Sequence, residues 1–376
     1  MIKEIIKKVK ILKRDEAGKN AKWLLAIVFG SSLALASCTS SNNSSSSSNN
    51  SGTQAISANT KVTNPVPLVV YSAQGYDSTC TKAFQGATGI PVSLDDDSTG
   101  PLLTKIQAEK SNPQWGVLWV DGDQAFAALD QENYLVKGFE PGASLNQAGQ
   151  SVVPSDKSYI PTGLTIAGAL VYNPALVPNP PTDLAGLRQI SGQVKVGMNN
   201  PSISGPTYPF VAGVLNATGG VANGENYFQS LKSKGLVISD TNDVTLNLVE
   251  TGQIAIALVQ SSAAIGATIK HPDLKVAFLN PSTPIPSVIG IDSKVSSKEQ
   301  TEAKIFASWV LTSEGQSCMQ TGDPKGDSLY WPVVNGTSPL SALPPFSSVP
   351  YKAIDPYKWG SQEGTINTWF TSNIVQ

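Results

Sequence analysis

From Pro67 to about Val310, short runs rich in β-branched residues alternate with stretches of helical period, which restricts the chain to an α/β architecture. Pro67–Ser72, Ile90–Leu94 and Gly116–Val120 read as strands. Between them, Thr79–Ala87 and a segment opening at Ser98-Thr99-Gly100-Pro101 read as helices. Pro101 suits a first helical turn, and Leu102, Leu103 and Ile106 share one face. Such a β-α-β-α-β rhythm implies a largely parallel sheet with right-handed crossovers. The second half repeats the habit: a strand at Val194–Met198, a helix from Ser204-Gly205-Pro206 through Leu215, a helix at Thr241–Glu250 and a strand at Ile254–Val259. Ser296 and Glu299 form a capping box before a helix whose Ile305/Trp309 and Phe306/Val310 pairs face inward. The body, Pro65–Gln376, holds about 310 residues, a size that tends to split into more than one core.

Upstream of that body the chemistry changes. Eight Lys/Arg between Lys3 and Lys22 precede a 14-residue apolar run, Trp23–Ala36. The run is short of the roughly 20 residues a spanning helix needs, so residues 1–37 read as a secretory signal. It ends in Leu35-Ala36-Ser37-Cys38, which resembles the bacterial lipobox; the resemblance implies that Cys38 is acylated and becomes the first mature residue. Residues 38–64 are almost all Ser, Asn, Thr, Gly and Ala and predict a disordered tether with a reach of ~25–30 Å.

Of 26 Lys/Arg and 28 Asp/Glu, eight and three lie in residues 1–37, which leaves 18 against 25 and a mature charge of about −7. That balance argues against nucleic acid as a partner. Arg188 is the only arginine after the signal and His271 the only histidine. A surface poor in charge suits an acidic exterior, where carboxylates titrate; loss of the fold in mild acid would count against this. Cys80 and Cys318 remain as a pair in an oxidising compartment, open to a disulfide or to two buried thiols.

Several segments together resemble the family-one extracellular solute-binding proteins of bacterial ABC importers, in the ferric-iron and 2-aminoethylphosphonate-type branch. They are Val69-Val-Tyr-Ser-Ala-Gln74, Ser98 to Glu109, Asn112-Pro-Gln-Trp-Gly-Val-Leu-Trp119, Asn200 to Tyr208 with Phe228-Gln-Ser-Leu-Lys232, Gly252–Leu258 and Tyr330-Trp-Pro-Val-Val-Asn335. The resemblance covers the chain from about 67 to 370. It implies a type II periplasmic-binding-protein fold, two α/β lobes, each a mostly parallel sheet flanked by helices, joined by crossing strands. Carried onto this chain, the first lobe is 65–165 with 280–325 and the second 166–279 with 326–376. The crossings then fall near Thr165–Val171 and Val276–Leu279, and both Cys80 and Cys318 land in the first lobe. The implied function is capture of a small polar solute by hinge closure and delivery to a membrane permease, by a lipid-anchored, extracytoplasmic monomer without cofactor or chemistry.

Polar groups must then converge on the solute from both lobes. Ser98, Thr99 and Gly100 at one helix start, and Ser204 and Gly205 at another, offer hydroxyls and backbone N–H groups suited to an anion, or act as ordinary caps. Ser72 and Gln74 follow the first strand and Asp121 the third, where open α/β sheets hold ligands. Tyr208 and Trp331 are the aromatic residues expected to wall the cleft. Ferric-binding members carry two adjacent tyrosines where this chain reads Gln260-Ser261-Ser262, and Gly75 stands where a histidine often follows the first strand. Bare ferric ion is therefore not expected as ligand, no metal site is assigned, and Ser261 and Ser262 suit an oxygen-rich solute. With no arginine clamp available, an anion must be held by backbone N–H groups, hydroxyls, aromatic edges or lysine; an oxyanion or phosphonate is the leading solute, ferric iron or an iron chelate the alternative, and a cation a competitor. The rival of another class is an exported hydrolase or glycosidase. A catalytic triad would have to use His271 in Lys270-His271-Pro272-Asp273, and there is no nucleophile elbow or phosphate-cradling loop.

Overall fold

The computed structural model describes residues 61–376; the signal, Cys38 and the tether up to residue 60 lie outside the described residues. The body begins earlier than expected. Val62 N–H donates to the Thr88 carbonyl at 3.0 Å and its side chain packs on the first core. Lys298 bonds the Asn64 carbonyl as well, so residues 61–64 belong to the body and not to the tether.

The chain opens with β1 (Leu68–Ser72), α1 (Asp77–Thr88), β2 (Val92–Asp96), α2 (Thr99–Ala108), β3 (Val117–Asp121) and α3 (Asp123–Gln131). Then come β4 (Tyr159–Ala167), β5 (Ala169–Tyr172), α4 (Leu184–Ile190), β6 (Val196–Asn199), α5 (Thr207–Ala217), α6 (Val221–Ser233) and β7 (Val237–Ser239). α7 (Asn242–Glu250), β8 (Ile256–Val259), α8 (Ser261–Lys270) and β9 (Lys275–Ala277) complete the second sheet. The last elements are β10 (Thr283–Ile291), α9 (Ser297–Val310), α10 (Ser313–Gly322), β11 (Trp331–Pro332), α11 (Pro356–Gly360) and α12 (Glu363–Phe370).

Two sheets result, ordered β11-β4-β10-β3-β1-β2 and β7-β6-β8-β5-β9. The βα units are parallel as expected: β1 with β2 and β3, and β6 with β7 and β8. The sheets as wholes are mixed rather than mostly parallel. The strands that carry the chain between lobes run against the βα units, so β10 is antiparallel to β3 and β4, and β5 to β8 and β9.

Helices cover both faces of each sheet, and the strands sort their residues accordingly. In β3, Val117 and Trp119 join one core with Phe84, Phe306 and Trp309, while Leu118 and Val120 join another with Phe126 and Leu129. β8 does the same, Ile256 and Leu258 on one side, Ala257 and Val259 on the other. This is the alternation of a strand buried on both faces. The Ser296 hydroxyl caps α9 by accepting from Glu299 N at 3.2 Å. Cys80 of α1 and Cys318 of α10 form a disulfide, with Cα atoms 5.6 Å apart.

β4 and β10 are nine-residue neighbours, paired from Thr283↔Ala167 to Gly290↔Tyr159. Chain passage to the second sheet goes through Gly168 alone, at φ +63, where a Cβ would overlap the Phe210 ring. It returns through residues 278–282 between β9 and β10. The last stretch departs from the expected division at residue 326. β11 pairs with β4, and Trp331, Val333, Leu343 and Val349 pack in the first lobe's core. Only with Trp359, Ile366, Phe370 and Ile374 does the chain enter the second. The reason is local: Trp331 is an apolar strand residue whose partner strand belongs to the first sheet.

Candidate functional site

Parallel neighbours β1 and β3 place Ser72 and Asp121 at one sheet edge, the carboxyl end where the adjoining loops form a crevice. Asp121, 6% exposed, is the hub of that edge. Gln74 Nε2 donates to Asp121 Oδ1 at 3.1 Å from the same lobe. Gln260 Nε2, just past β8 in the other lobe, donates to Asp121 Oδ2 at 2.7 Å and to Thr165 Oγ1 at 3.1 Å. The Tyr76 hydroxyl donates to Gln74 Oε1 at 2.7 Å and fixes that amide's orientation. Burial pushes the Asp121 carboxyl up, against the pull of its bonds from Gln74, Gln260 and Ser287.

A second carboxylate stands beside it. Asp327, after α10, accepts from Gly75 N at 2.8 Å on one oxygen and from the Ser262 hydroxyl at 3.3 Å on the other. Burial first, and then the charge of Asp121, push its carboxyl up to about 7.

The lobes touch at a seam. Gly100 N–H donates to the Ile203 carbonyl at 3.1 Å. A Cβ at Gly100 would collide with the Ser202 carbonyl, and one at Gly205 with Thr99, so glycine permits the approach. Next to the seam is a cavity of about 130 Å³, walled by Ala73, Ser98 and Thr99 from one lobe, Ser204, Gly205 and Gln260 from the other, and Asp327. Asp240, Thr241 and Asn242, ahead of and opening α7, complete it. An open pocket of about 390 Å³ continues from Ala73 and Ser98 past Gln74, Gly75, Asp96 and Asp97. A larger groove of about 790 Å³ runs along the other side of Thr99 and Gly205, between faces of α2, α3 and α12. It is bounded by helices, whereas the smaller cavity is where the loops after β1 and β8 meet.

The expected residues divide into groups. Ser98, Thr99, Ser204 and Gly205 line the cavity from opposite sides. Gln74 and Asp121 form the hub, and Ser72 supports it by accepting from Gln74 N at 3.3 Å. Ser262 reaches Asp327, while the Ser261 hydroxyl accepts from Ile166 N of β4 at 2.9 Å and ties α8 to the crossing strand. Gly100 is at the seam, with its N–H engaged across the lobes instead of open to an anion. Tyr208 lies in the second core, its hydroxyl donating to the Trp359 carbonyl at 2.5 Å, and it edges only a minor void. Trp331 lines none of these spaces. Its Nε1 donates to the Pro344 carbonyl at 2.8 Å and its ring packs on Phe346, because β11 faces the first core. Gln260, Asp327, Asp240, Thr241 and Asn242 were not expected as cavity residues. Thr241 carried only the signal of a helix cap, and Asp327 none.

Among the described residues, no group of three or more His, Cys, Asp or Glu could hold a metal ion. His271 pairs with Glu250 at 3.5 Å beyond α8 and lines none of the cavities described.

Two lobes hinged by crossing strands and enclosing a polar cavity at their strand ends define a type II periplasmic-binding-protein fold. This chain belongs to the bacterial extracellular solute-binding proteins, whose family model matches residues 79–336. Its structure is similar to that of iron-bound HitA from Pseudomonas aeruginosa: TM-score 0.67, 22% identity, 81% of this chain and 99% of that one covered. It is similar also to AfuA from Actinobacillus pleuropneumoniae with fructose-6-phosphate bound, at TM-score 0.71, 16% identity and coverages of 82% and 98%. The ferric binding protein from Campylobacter jejuni matches at TM-score 0.64, 15% identity and coverages of 81% and 99%. Membership places the protein outside the cytoplasm as a solute-binding component of an ABC importer.

Proposed function

We propose that this protein is the lipid-anchored solute receptor of an ABC importer, closing on one small polar molecule in the 130 Å³ cavity and passing it to a membrane permease. The observation that carries the reading is the bond from Gln260 to Asp121, which joins the strand ends of the two lobes beside that cavity. Closure is favoured by contacts that exist only when both lobes reach the solute. The anchor rests on Leu35-Ala36-Ser37-Cys38 after the apolar run.

The neighbours bind iron in one case and a sugar phosphate in another, and neither ligand suits this cavity. Its walls include no Lys, Arg or His to meet a phosphate. Ferric ion wants a set of hard ionised ligands, whereas here Asp121 and Asp327 are engaged by protein donors and Ser261 and Ser262 replace the tyrosine pair.

The test is independent of solute identity. The full chain is equilibrated with spent growth medium, washed and examined by native mass spectrometry. One small molecule retained per chain, and lost in Gln260→Ala, is the expected result. No retained molecule, with no rise in melting temperature on adding the same medium, would sink the receptor reading.

A further inference from the structure

The charged groups on this cleft are all of one sign. Asp327 and Asp240 line the cavity, Asp96 and Asp97 line the pocket that continues it, and Asp121 stands behind Asp327 at the hub. No Lys, Arg or His lines the cavity, the continuing pocket, the larger groove or the void beside Asp121. Lys325, the lysine next to Asp327 in sequence, is exposed and lines none of them.

One buried acceptor beside the seam is unsatisfied. The Gln124 side chain is 2% exposed and lines the void between Thr99, Gly205 and Asp121, yet its Oε1 has no hydrogen-bond partner. The obvious donors are already engaged: Gln74 and Gln260 amides on Asp121, and Gly100 N–H on Ile203. Two neighbouring carboxylates, Asp121 buried and Asp327 half-buried, are costly without a cation unless something positive joins them. Burial and the Asp121 charge, with Asp323 adding to it, hold the Asp327 carboxyl up near 7; only Gly75 N–H and the Ser262 hydroxyl oppose them.

Resting on the receptor reading above, we propose that the solute is a small protonated amine, its ammonium group seated on Asp327 within the field of Asp121, and its remainder among Ser98, Thr99, Ser204 and Gln260. The ammonium supplies the positive charge that the cleft lacks, together with N–H donors for its carboxylate. A primary amine is specified over a quaternary one. The cavity offers carboxylate and hydroxyl acceptors and no aromatic side chain, whereas a quaternary ammonium has no N–H to give and is held by ring faces. A volume of about 130 Å³ limits the solute to a few heavy atoms around that group, with any extension leaving through the pocket past Asp96 and Asp97.

The proposal sets a direction for pH. An ammonium binds the ionised form of Asp327, so in the pH range below about 7 the dissociation constant should rise as the carboxylate protonates, approaching tenfold per pH unit. An oxyanion solute would show the opposite trend.

The test is a thermal-shift and calorimetric titration of the full chain with putrescine, ethanolamine, choline, phosphate, 2-aminoethylphosphonate and fructose-6-phosphate. A saturable rise with putrescine or ethanolamine and none with choline or phosphate is expected. Asp327→Asn should then weaken amine binding at least tenfold while leaving the unliganded protein as stable or more so, since it removes one of two neighbouring like charges. Binding of phosphate or the sugar phosphate with amines silent would overturn the proposal and leave the receptor reading standing. So would choline binding as tightly as ethanolamine, or a molecule retained from medium that carries no ammonium. Silence of both primary amines, or undiminished binding by Asp327→Asn, would equally overturn it.

Discussion

Gln260 Nε2 sits 2.7 Å from Asp121 Oδ2, and the two residues, 139 positions apart in sequence, belong to different lobes. A hydrogen bond to a charged group is worth about 1.5–3 kcal/mol. On the receptor reading this bond helps hold the cleft shut, so its loss should fall on binding more than on folding. Gln260→Ala is expected to weaken solute affinity roughly tenfold to a hundredfold. Titration calorimetry on the retained solute checks it; an unchanged affinity would remove the bond from the closing mechanism.

Gly100 is the second test of closure. In Gly100→Ala the new methyl group meets the Ser202 carbonyl and the Ile203 backbone of the facing lobe, and it meets them only when the lobes are together. The variant should fold normally, melt within a few degrees of the parent, and populate the open form. X-ray scattering should then detect no compaction on adding solute. Parent-like compaction in Gly100→Ala would mean that the lobes come together elsewhere.

Acid should stabilise this protein. Burial raises Asp123, Asp327 and Glu363 to about 7 and Asp77 and Asp292 to about 6, while the unfolded chain titrates near 4. Between those values the folded chain holds protons that the unfolded chain has released, so stability increases as pH falls through that window. Glu140 and Asp156, lowered by Lys157 and Lys137, work the other way from more solvated sites. The expected result is a melting temperature several degrees higher at pH 5 than at pH 7.5, read by calorimetry at constant ionic strength. A lower melting temperature at pH 5 would contradict both this balance and the suitability for an acidic exterior.

The Cys80–Cys318 bridge spans 238 positions. Loop closure on that scale is worth on the order of 2–5 kcal/mol in the unfolded ensemble. The Cys80→Ser/Cys318→Ser double variant should unfold at lower denaturant concentration, while its solute affinity remains that of the parent, because neither cysteine lines the cavity, the continuing pocket or the groove. Equal midpoints for variant and parent would show that the bridge adds nothing.

What could be read from the sequence was what is local. The strand and helix runs, the capping Ser296 and the paired Ser/Thr-Gly helix starts each announce themselves within a few residues, and Ser98, Thr99, Ser204 and Gly205 do face one another across the cavity. The family resemblance suggested two lobes, but not that β11 returns to the first sheet. Trp331 was misplaced because a buried aromatic residue on a strand carries the same pattern whether it walls a ligand or a core. Asp327 gave no signal, since its meaning arises only when the fold brings it to Gly75, 252 positions away. The role expected of Gly100 as an open donor failed on the same ground. A helix start looks like a free donor until its N–H is seen bonded to the Ile203 carbonyl of the other lobe.

The two crossings between sheets are unequal, one residue at Gly168 against five at 278–282. A short link fixes a position and a longer one lets its ends drift; with a third passage between Val349 and Trp359, Gly168 is the tightest of the joints between the lobes. The bond from Ile166 to Ser261 lies two residues from that joint, whereas those at Gly100 and Gln260 join the lobes across the cleft. On the receptor reading, opening is therefore expected to part Gly100 from Ile203 and Gln260 from Asp121 before it strains the bond between Ile166 and Ser261, which lies beside the shorter link.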